Sequence, residues 1–171
     1  MSNSEILEPG EAKTAAMNQP DTAEARRVMI KSQLRTSGVN DERTLARMRD
    51  VPREDFLPAE KAPLAYIDRS IALPEGGAMA APLFYGKLLV EAAAQDEDRV
   101  LVVANGTGYL AQLLRPLVGS IEVTSASEAA SGNVPGESDF TLVVIDGAIE
   151  QLPESLAGRV ADGGRVVGGL V

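Results

Sequence analysis

The chain has 171 residues, a net charge of -9 from 25 acidic and 16 basic side chains, and neither cysteine nor histidine. Without these two residue types it has no disulfide, thiolate nucleophile, Ser-His-Asp triad or usual zinc site, so its chemistry depends on carboxylates, hydroxyls, amides, cations or a cofactor. The acidic balance argues against a nucleic-acid partner, and apolar runs such as residues 142–145 are too short to span a membrane.

The N-terminal residues predict a disordered tail. Residues 1–20 are polar, mixed in charge and end at Pro20, which is typical of segments that do not fold. They contain no basic region followed by an apolar block, so they do not read as a secretory signal. We therefore expect a cytoplasmic protein.

Two short helices and a long loop follow the tail. A first helix is expected from the Asp21-Thr22 pair, which can cap it, to Gly38. A second is expected from the Asn40-Asp41 pair to a stop before Val51-Pro52. Residues 58–82 contain four prolines, and a loop of this length in a compact domain is more typical of a binding loop than of a plain connection.

Apolar runs alternate with helical patterns in the rest of the chain. Residues 100–104 form a continuous apolar run, as in strands that are buried on both faces. The alternation predicts an α/β fold with an open parallel sheet. The predicted elements are helices over 83–94, 109–117, 127–130 and 152–160, and strands over 100–104, 121–124, 140–145 and 165–171.

The turn after the first strand is the candidate ligand site. It reads Asn105-Gly106-Thr107-Gly108-Tyr109, and its glycines let the backbone pass close to a ligand at the end of the strand. A tight turn without a ligand is the alternative. No third glycine completes a dinucleotide fingerprint, which favours a smaller nucleoside. Glu122 is the nearest carboxylate for a ribose, although a solvated charge is the more ordinary interpretation.

These residues together resemble the protein-L-isoaspartate O-methyltransferase family over about residues 24–171. The glycine turn resembles the S-adenosylmethionine motif of that family, and residues 140–153 and 163–167 resemble its fourth and fifth strands. The most specific match lies upstream and consists of Gln33-Leu34, Gly38-Val39, Asp41, Arg43, Leu45, Met48, the run Val51-Pro52-Arg53-Glu54-Asp55-Phe56-Leu57-Pro58 and Ala65-Tyr66-Ile67-Asp68.

The resemblance implies a reduced, Rossmann-like methyltransferase sheet behind an N-terminal helical segment. Residues 21–98 would hold the helices and the substrate-side loop, and residues 99–171 the cofactor-binding sheet, within one folded domain. The implied reaction moves a methyl group from S-adenosylmethionine to the free carboxylate of an isoaspartyl residue in a damaged protein. That carboxylate is already ionised at neutral pH, so catalysis can rest on holding it in line with the methyl group.

The sequence departs from the family pattern where ligands are expected. The substrate-side loop, which includes Asp68, reads Gly77-Ala78-Met79-Ala80 where the family has Gln-Thr-Ile-Ser, so no catalytic residue is assigned there. The family's acid on the first strand falls on Val102, and its ribose acid on Thr124. Asp146 stands where a neutral hydroxyl is usual, either as a compensating contact to the cofactor or as a cap of the next turn.

The crossover between the second and third predicted strands is short. It has 15 residues, 125–139, where the family places about one further βα unit. We expect a thin wall over the adenine, and Gly106 and Gly108 lining an open cleft that faces residues 68–82. The last strand would leave an uncovered sheet edge, so either the sequence is a fragment or the edge pairs with another chain, as it would in a homodimer. A catalytically degenerate binding or scaffolding module is the alternative to an active enzyme.

Overall fold

The described part of the chain, residues 21–170, is a four-stranded parallel sheet preceded by helices and a two-stranded hairpin, as given by a computed structural model. The predicted tail, residues 1–20, lies outside the described residues. The helices are α1 (Thr22–Met29), α2 (Glu42–Asp50), α3 (Pro82–Ala92), α4 (Tyr109–Leu114), α5 (Ala126–Ala130) and α6 (Glu154–Ala157). The strands are β1 (Ile71–Ala72), β2 (Ala78–Met79), β3 (Arg99–Ala104), β4 (Ser120–Ser125), β5 (Phe140–Ile149) and β6 (Val160–Leu170).

The two N-terminal helices begin at capping carboxylates. Asp21 accepts the backbone N–H of Glu24 at 3.1 Å at the start of α1. Asp41 accepts that of Thr44 at 3.0 Å at the start of α2. The first helix continues past α1 as a π turn and a 3₁₀ turn and ends at Gly38, whose φ of +90° is left-handed. Both predicted starts and the stop at Gly38 are confirmed.

The large sheet is parallel throughout, in the order β4-β3-β5-β6. The chain passes from β3 to β4 on one side and then places β5 on the other side, so the strand order reverses between β3 and β5. Ligands of open α/β sheets bind at the carboxyl ends of the strands at such a switch point. The predicted parallel sheet is confirmed, and the glycine turn follows β3 at its switch point.

The two helices on one face of the sheet are short. The predicted crossover helix over 127–130 is confirmed as α5. α6 has four residues where a helix over 152–160 was expected, so this prediction is wrong in length. Pro153 precedes α6 and Gly158 ends it, and both residues favour helix termini over helix interiors.

The last strand begins earlier than expected. Val160 already pairs with Phe140, at the start of β5, and Arg165 pairs with Leu142. Residues 161–164 therefore form a bulge on β6 opposite a single residue of β5. The prediction of a strand beginning at Arg165 is wrong, because the Gly-Gly pair lies inside the bulge and not before the strand.

One arginine holds the shortened crossover between α5 and β5. The guanidinium of Arg159 donates hydrogen bonds to four carbonyl oxygens of residues 131–139 and lies over the ring of Phe140, 5.2 Å from its centroid. The four acceptors are Val134 at 3.0 Å, Pro135 at 3.2 Å, Gly136 at 2.8 Å and Ser138 at 2.9 Å. A single side chain thus fixes the path of a segment that has no helix or strand of its own.

The N-terminal helices and the sheet share one hydrophobic core. Its buried members include Leu34, Leu45, Met48, Tyr85, Leu88, Val100, Val102, Leu113 and Leu142. A second buried cluster lies under α5 and α6 and includes Leu101, Val103, Ala129, Phe140, Val143, Ile145 and Leu156. Alternate residues of β3 point into the two clusters, which accounts for its continuous apolar sequence. Among residues 21–170, no helix is long and apolar enough to cross a membrane.

Candidate cofactor site

A cavity of about 140 Å³ lies at the switch point of the sheet. The ends of β3 and β5 form one side of it, and α5 and α6 form the other. Asn105 and Asp146 are the polar residues of a lining that is otherwise mostly apolar, and the Asp146 carboxylate points to Tyr85 in the core. The lining residues are Val103, Ala104, Asn105, Ala126, Ala129, Ile145, Asp146, Gly147, Ala148, Ile149, Pro153 and Leu156. This is the place where the fold binds a ligand.

The glycine turn after β3 packs directly against the β1–β2 hairpin. The backbone N–H of Ala78 donates to the carbonyl oxygen of Asn105 at 3.0 Å, and a Cβ on Gly77 would lie 2.3 Å from that oxygen. Gly106 has a φ of +102°, and a Cβ there would lie 2.7 Å from a leucine methyl group of the hairpin turn. The hairpin of residues 68–82 therefore faces the turn as expected, and Gly106 itself is exposed, although a side chain there would meet the hairpin.

Thr107 and Tyr109 have structural roles in this turn. The Thr107 hydroxyl accepts the backbone N–H of Tyr109 at 3.2 Å, and Gly108 between them is exposed. The Tyr109 ring is fully buried, edge-on to Phe56 and Tyr85 at centroid distances of 5.6 and 4.9 Å. Burial raises the pKa of Tyr109 to about 12. The prediction that the Tyr109 side chain contacts a cofactor is therefore wrong, because the ring points into the core.

Asp146 follows the last paired residue of β5 and β3, Ile145, and is only 4% exposed. The hydroxyl of Tyr85 lies 2.9 and 3.1 Å from its two carboxylate oxygens and donates to them. Burial raises the pKa of Asp146 to about 6, while the Tyr85 hydrogen bond and the charge of Arg53 act to lower it. The carboxylate is therefore mostly ionised at neutral pH.

A buried arginine and tyrosine support the site from the core side. Arg53 is fully buried, and its Nε and Nη2 donate to the carbonyl oxygens of Ala65 and Ala80 at 2.7 and 3.0 Å. Its guanidinium lies 5.7 Å from the ring centroid of Tyr85 and 5.2 Å from that of Tyr109. The Tyr85 hydroxyl in turn accepts the N–H of Ala80 at 3.2 Å.

Sequence reasoning gave neither Arg53 nor Tyr85 a role. Arg53 lies in the run that matches the family, and Tyr85 lies in the helix that was predicted over residues 83–94. A tyrosine on a buried helix face was the available signal, because its hydroxyl needs a hydrogen-bond partner there.

Glu122 lies away from the cavity. It is the third residue of β4, is exposed, and pairs with Leu101 in the middle of β3. It lines a different cavity with Arg99 and Phe140, which are the first residues of β3 and β5. The predicted ribose ligand is therefore wrong, because this carboxylate faces the amino ends of the strands.

The substrate-side loop brings backbone groups to the site. Gly77 and Ala78 lie against the glycine turn, and Ala80 bonds to the supporting arginine and tyrosine through its backbone. Met79 is fully buried in the core, which corrects its placement among the site residues. Asp68 is exposed. Residues 77–80 of this loop therefore offer carbonyl and N–H groups near the site and no side-chain hydroxyl.

A nucleoside cofactor with an amino-acid end fits these groups in part. The Asn105 amide can donate and accept hydrogen bonds within a mostly apolar cavity. Ligand cavities usually measure about 300–1,000 Å³. The cavity of about 140 Å³ therefore encloses a portion of such a cofactor.

The parallel sheet with a ligand cavity and a glycine turn at its switch point defines a class, the Rossmann-like fold of S-adenosylmethionine-dependent methyltransferases. The sequence model of the family described as protein-L-isoaspartate(D-aspartate) O-methyltransferase matches residues 24–131. The chain belongs to this family, as its resemblance predicted.

Curated relatives of this family match most of the chain. Protein-L-isoaspartate O-methyltransferase 2 of Anaeromyxobacter sp. (strain Fw109-5) is 30% identical over 177 residues, which cover 90% of this chain and 72% of the relative. Protein-L-isoaspartate O-methyltransferase of Koribacter versatilis (strain Ellin345) is 30% identical over 162 residues, which cover 81% of this chain and 73% of the relative.

Two solved structures have the same fold. One is a β-aspartate methyltransferase of this kind from Plasmodium falciparum in complex with S-adenosyl-L-homocysteine, with a TM-score of 0.65 and 14% identity over 90% of this chain and 85% of that one. The other is a protein-L-isoaspartate O-methyltransferase with a TM-score of 0.65 and 19% identity over 85% of this chain. The present chain spans 55% of the length of that structure. The Rossmann-like expectation is confirmed.

Proposed function

We propose that the chain binds S-adenosylmethionine at the switch point of its sheet and methylates the free carboxylate of isoaspartyl residues in damaged proteins. One observation carries this proposal: Asn105 after β3 and Asp146 on β5 converge on one cavity in a chain of this family. The complex of the Plasmodium falciparum neighbour with S-adenosyl-L-homocysteine supports the choice of cofactor.

The proposed reaction asks little of acid–base groups. The bound cofactor supplies an electrophilic methyl group, and the acceptor carboxylate needs no base because it is ionised at neutral pH. The residues of this chain would therefore bind and orient. Asn105 offers hydrogen bonds in the cavity, and the hairpin at Gly77 and Ala78 excludes water from one side of the glycine turn.

A binding module without methyl transfer is the second candidate. Ala78 and Ala80 stand where the family resemblance implies hydroxyls. A site that lacks hydrogen-bond partners binds more weakly by about 1–3 kcal/mol for each missing partner. Such a protein would keep the fold and the affinity for damaged chains without the reaction.

Two measurements distinguish the candidates. We expect calorimetry to detect binding of S-adenosyl-L-homocysteine, and labelled methyl groups to appear on an isoaspartyl peptide but not on its aspartyl isomer. Absence of binding at millimolar ligand contradicts both the cofactor and the reaction. Binding of the cofactor product without transfer to the isoaspartyl peptide favours the binding module.

We also propose that the protein acts in the cytoplasm on isoaspartyl-containing proteins, and that it forms a homodimer through the edge of the sheet at β6. Within residues 21–170, β6 pairs with β5 on one side only, and a strand with a free edge can pair with another chain. Fractionation of cells that express the tagged chain tests the location.

A further inference from the structure

Two buried side chains meet beside the point where the substrate-side loop enters α3. Tyr85 of α3 is fully buried, and Asp146 near the end of β5 is 4% exposed. The Tyr85 hydroxyl lies 2.9 and 3.1 Å from the two carboxylate oxygens of Asp146 and 3.2 Å from the backbone nitrogen of Ala80. One hydroxyl therefore joins the carboxyl end of the sheet to the loop.

The two partners of the Tyr85 hydroxyl fix the direction of its hydrogen bonds. A backbone N–H can only donate, and an ionised carboxylate can only accept. Burial and the charge of Asp146 raise the pKa of Tyr85, so the hydroxyl keeps its proton. It therefore donates this proton to Asp146 and turns a lone pair to the N–H of Ala80. A neutral hydroxyl at position 146, which the family resemblance implies, can donate or accept and would not fix this direction.

Ala80 is held through both of its backbone groups. Its N–H donates to the Tyr85 hydroxyl, and its carbonyl oxygen accepts Nη2 of Arg53 at 3.0 Å. Arg53 is fully buried, and its guanidinium lies 5.7 Å from the ring centroid of Tyr85. Two residues earlier, the N–H of Ala78 donates to the carbonyl oxygen of Asn105 in the glycine turn. The loop is thus attached to the glycine turn at Ala78 and to the core at Ala80.

This loop depends on its backbone for any contact with an acceptor. Residues 77–80 carry no side-chain hydroxyl, so their N–H and carbonyl groups are the hydrogen-bonding groups that they can offer. A side chain can rotate to correct a small displacement of its backbone, whereas a backbone group cannot. A displacement of about 1 Å can slow a reaction that relies on positioning about 100-fold. The attachment of Ala80 therefore bears on the reaction as well as on the fold.

We propose that Tyr85, with its proton directed by Asp146, is a positioning residue that holds the substrate-side loop for the isoaspartyl carboxylate. The inference rests on the proposed function. Because Tyr85 is fully buried, its hydroxyl does not touch the acceptor and acts through the backbone of Ala80. Asp146 then serves neither as a cofactor contact nor as the cap of a turn, but orients the tyrosine.

Steady-state kinetics with an isoaspartyl peptide test this role. Tyr85→Phe removes the hydroxyl and keeps the ring. At saturating S-adenosylmethionine, we expect kcat/KM for the peptide to fall about 10- to 100-fold, because the loop is no longer held at Ala80. The affinity for S-adenosyl-L-homocysteine, measured by calorimetry, is expected to change less than about twofold, because Tyr85 does not line the cavity.

A double variant separates positioning from stability. Tyr85→Phe leaves the buried Asp146 carboxylate without this donor, which destabilises the fold. Tyr85→Phe/Asp146→Val removes donor and acceptor together, so it is expected to have a higher Tm than Tyr85→Phe. Its kcat/KM for the peptide is nevertheless expected to stay about 10- to 100-fold below that of the unaltered protein, since the N–H of Ala80 still lacks the Tyr85 oxygen. The double variant decides the matter if Tyr85→Phe does not fold.

Phe140→Leu is the control for destabilisation alone. Phe140 is buried at the first residue of β5, far along the strand from Asp146, and packs in the cluster under α5 and α6. Its smaller replacement is expected to lower Tm, because it leaves unfilled space in the core. We expect kcat/KM for the peptide to change less than about twofold, because the loop stays in place.

The outcomes separate the inference from the proposed function. Equal kcat/KM in the unaltered protein and Tyr85→Phe/Asp146→Val, or an equal loss in Phe140→Leu, overturns the positioning role and leaves the proposed function standing. A loss in Tyr85→Phe that is matched by a loss of affinity for S-adenosyl-L-homocysteine also overturns it, since the effect would not belong to the acceptor loop. Failure of the unaltered protein to methylate the isoaspartyl peptide overturns both.

Discussion

Arg53 connects the segment after α2 to the substrate-side loop, since it donates to the carbonyl oxygens of Ala65 and Ala80 from a fully buried position. A lysine can place one ammonium group but not two donors in a fixed plane over tyrosine rings. We expect Arg53→Lys to lower the free energy of unfolding by about 3 kcal/mol, measured by urea denaturation. The exposed Arg49 is the control, and Arg49→Lys is expected to change it by less than about 0.5 kcal/mol. Similar losses in the two variants would contradict the role of Arg53.

Asp146 makes stability depend on pH with a definite sign. Its pKa is raised by burial from 3.8 to about 6, so the folded state binds more protons than the unfolded state between these values and loses stability as the pH rises. Asp146→Asn removes this dependence. We expect the stability of the variant relative to the unaltered protein to rise by about 2 kcal/mol from pH 4 to pH 7, measured by urea denaturation at each pH. A constant difference over this range would contradict the raised pKa.

Some residues of the site could be predicted from the local sequence and others could not. Asn105 and Asp146 were predictable, because each follows an apolar run and strand ends meet at the switch point. Arg53 and Tyr85 were not, since their burial results from packing between distant segments. Glu122 was placed wrongly because it was chosen as the nearest carboxylate in the sequence. Its position along β4, opposite Leu101, keeps it away from the carboxyl end of the sheet.

At the scale of elements, the hairpin and the glycine turn are joined by close backbone contact at Gly77. Gly76 and Gly77 have similar φ values, +104° and +82°, but a Cβ on Gly76 meets nothing within 4 Å, whereas one on Gly77 would lie 2.3 Å from a backbone oxygen. We expect Gly76→Ala to cost about 1–2 kcal/mol from its left-handed backbone alone, and Gly77→Ala to cost more. Thermal or urea unfolding measures both. Equal costs would mean that the hairpin does not rest on the turn.

Arg159 is the corresponding support of the shortened crossover. It donates to four carbonyl oxygens of residues 131–139, which no helix or strand satisfies. We expect Arg159→Lys to destabilise the fold by about 1–3 kcal/mol, because carbonyls lose donors, and to speed hydrogen exchange in this segment. Arg115→Lys is the exposed control. Unchanged exchange in residues 131–139 would show that another contact holds them.

The predictability of elements follows the range of the interactions that form them. α1 and α2 were predicted because their caps, Asp21 and Asp41, act within three residues. β6 was not, because its start is set by pairing of Val160 with Phe140, 20 residues away, and its Gly-Gly pair reads locally as a turn. Long-range pairing of this kind leaves no periodic pattern in the sequence.

For the molecule as a whole, the short crossover leaves the switch point intact. The reversal of strand order needs only β3, β4 and β5, and all three are present with the glycine turn in place. The absence of a βα unit would instead reduce the wall of the site beside β4. In the described part of the chain this region holds α5 and residues 131–139. The ligand site can therefore persist in a reduced sheet, although its cavity is small.

The edges of the sheet give the prediction at the largest scale. β4 and β6 are the edge strands within residues 21–170, and each exposes a valine, Val123 at 44% and Val166 at 37%. If β6 pairs with a second copy, Val166→Lys lowers the dimer fraction in sedimentation, whereas Val123→Lys, with the same change in charge, does not. The net charge of -9 opposes association, so we expect the dimer fraction to rise with salt. A monomer at every protein and salt concentration would exclude pairing through β6. Equal effects of Val166→Lys and Val123→Lys would mean that the dimer does not form specifically through β6.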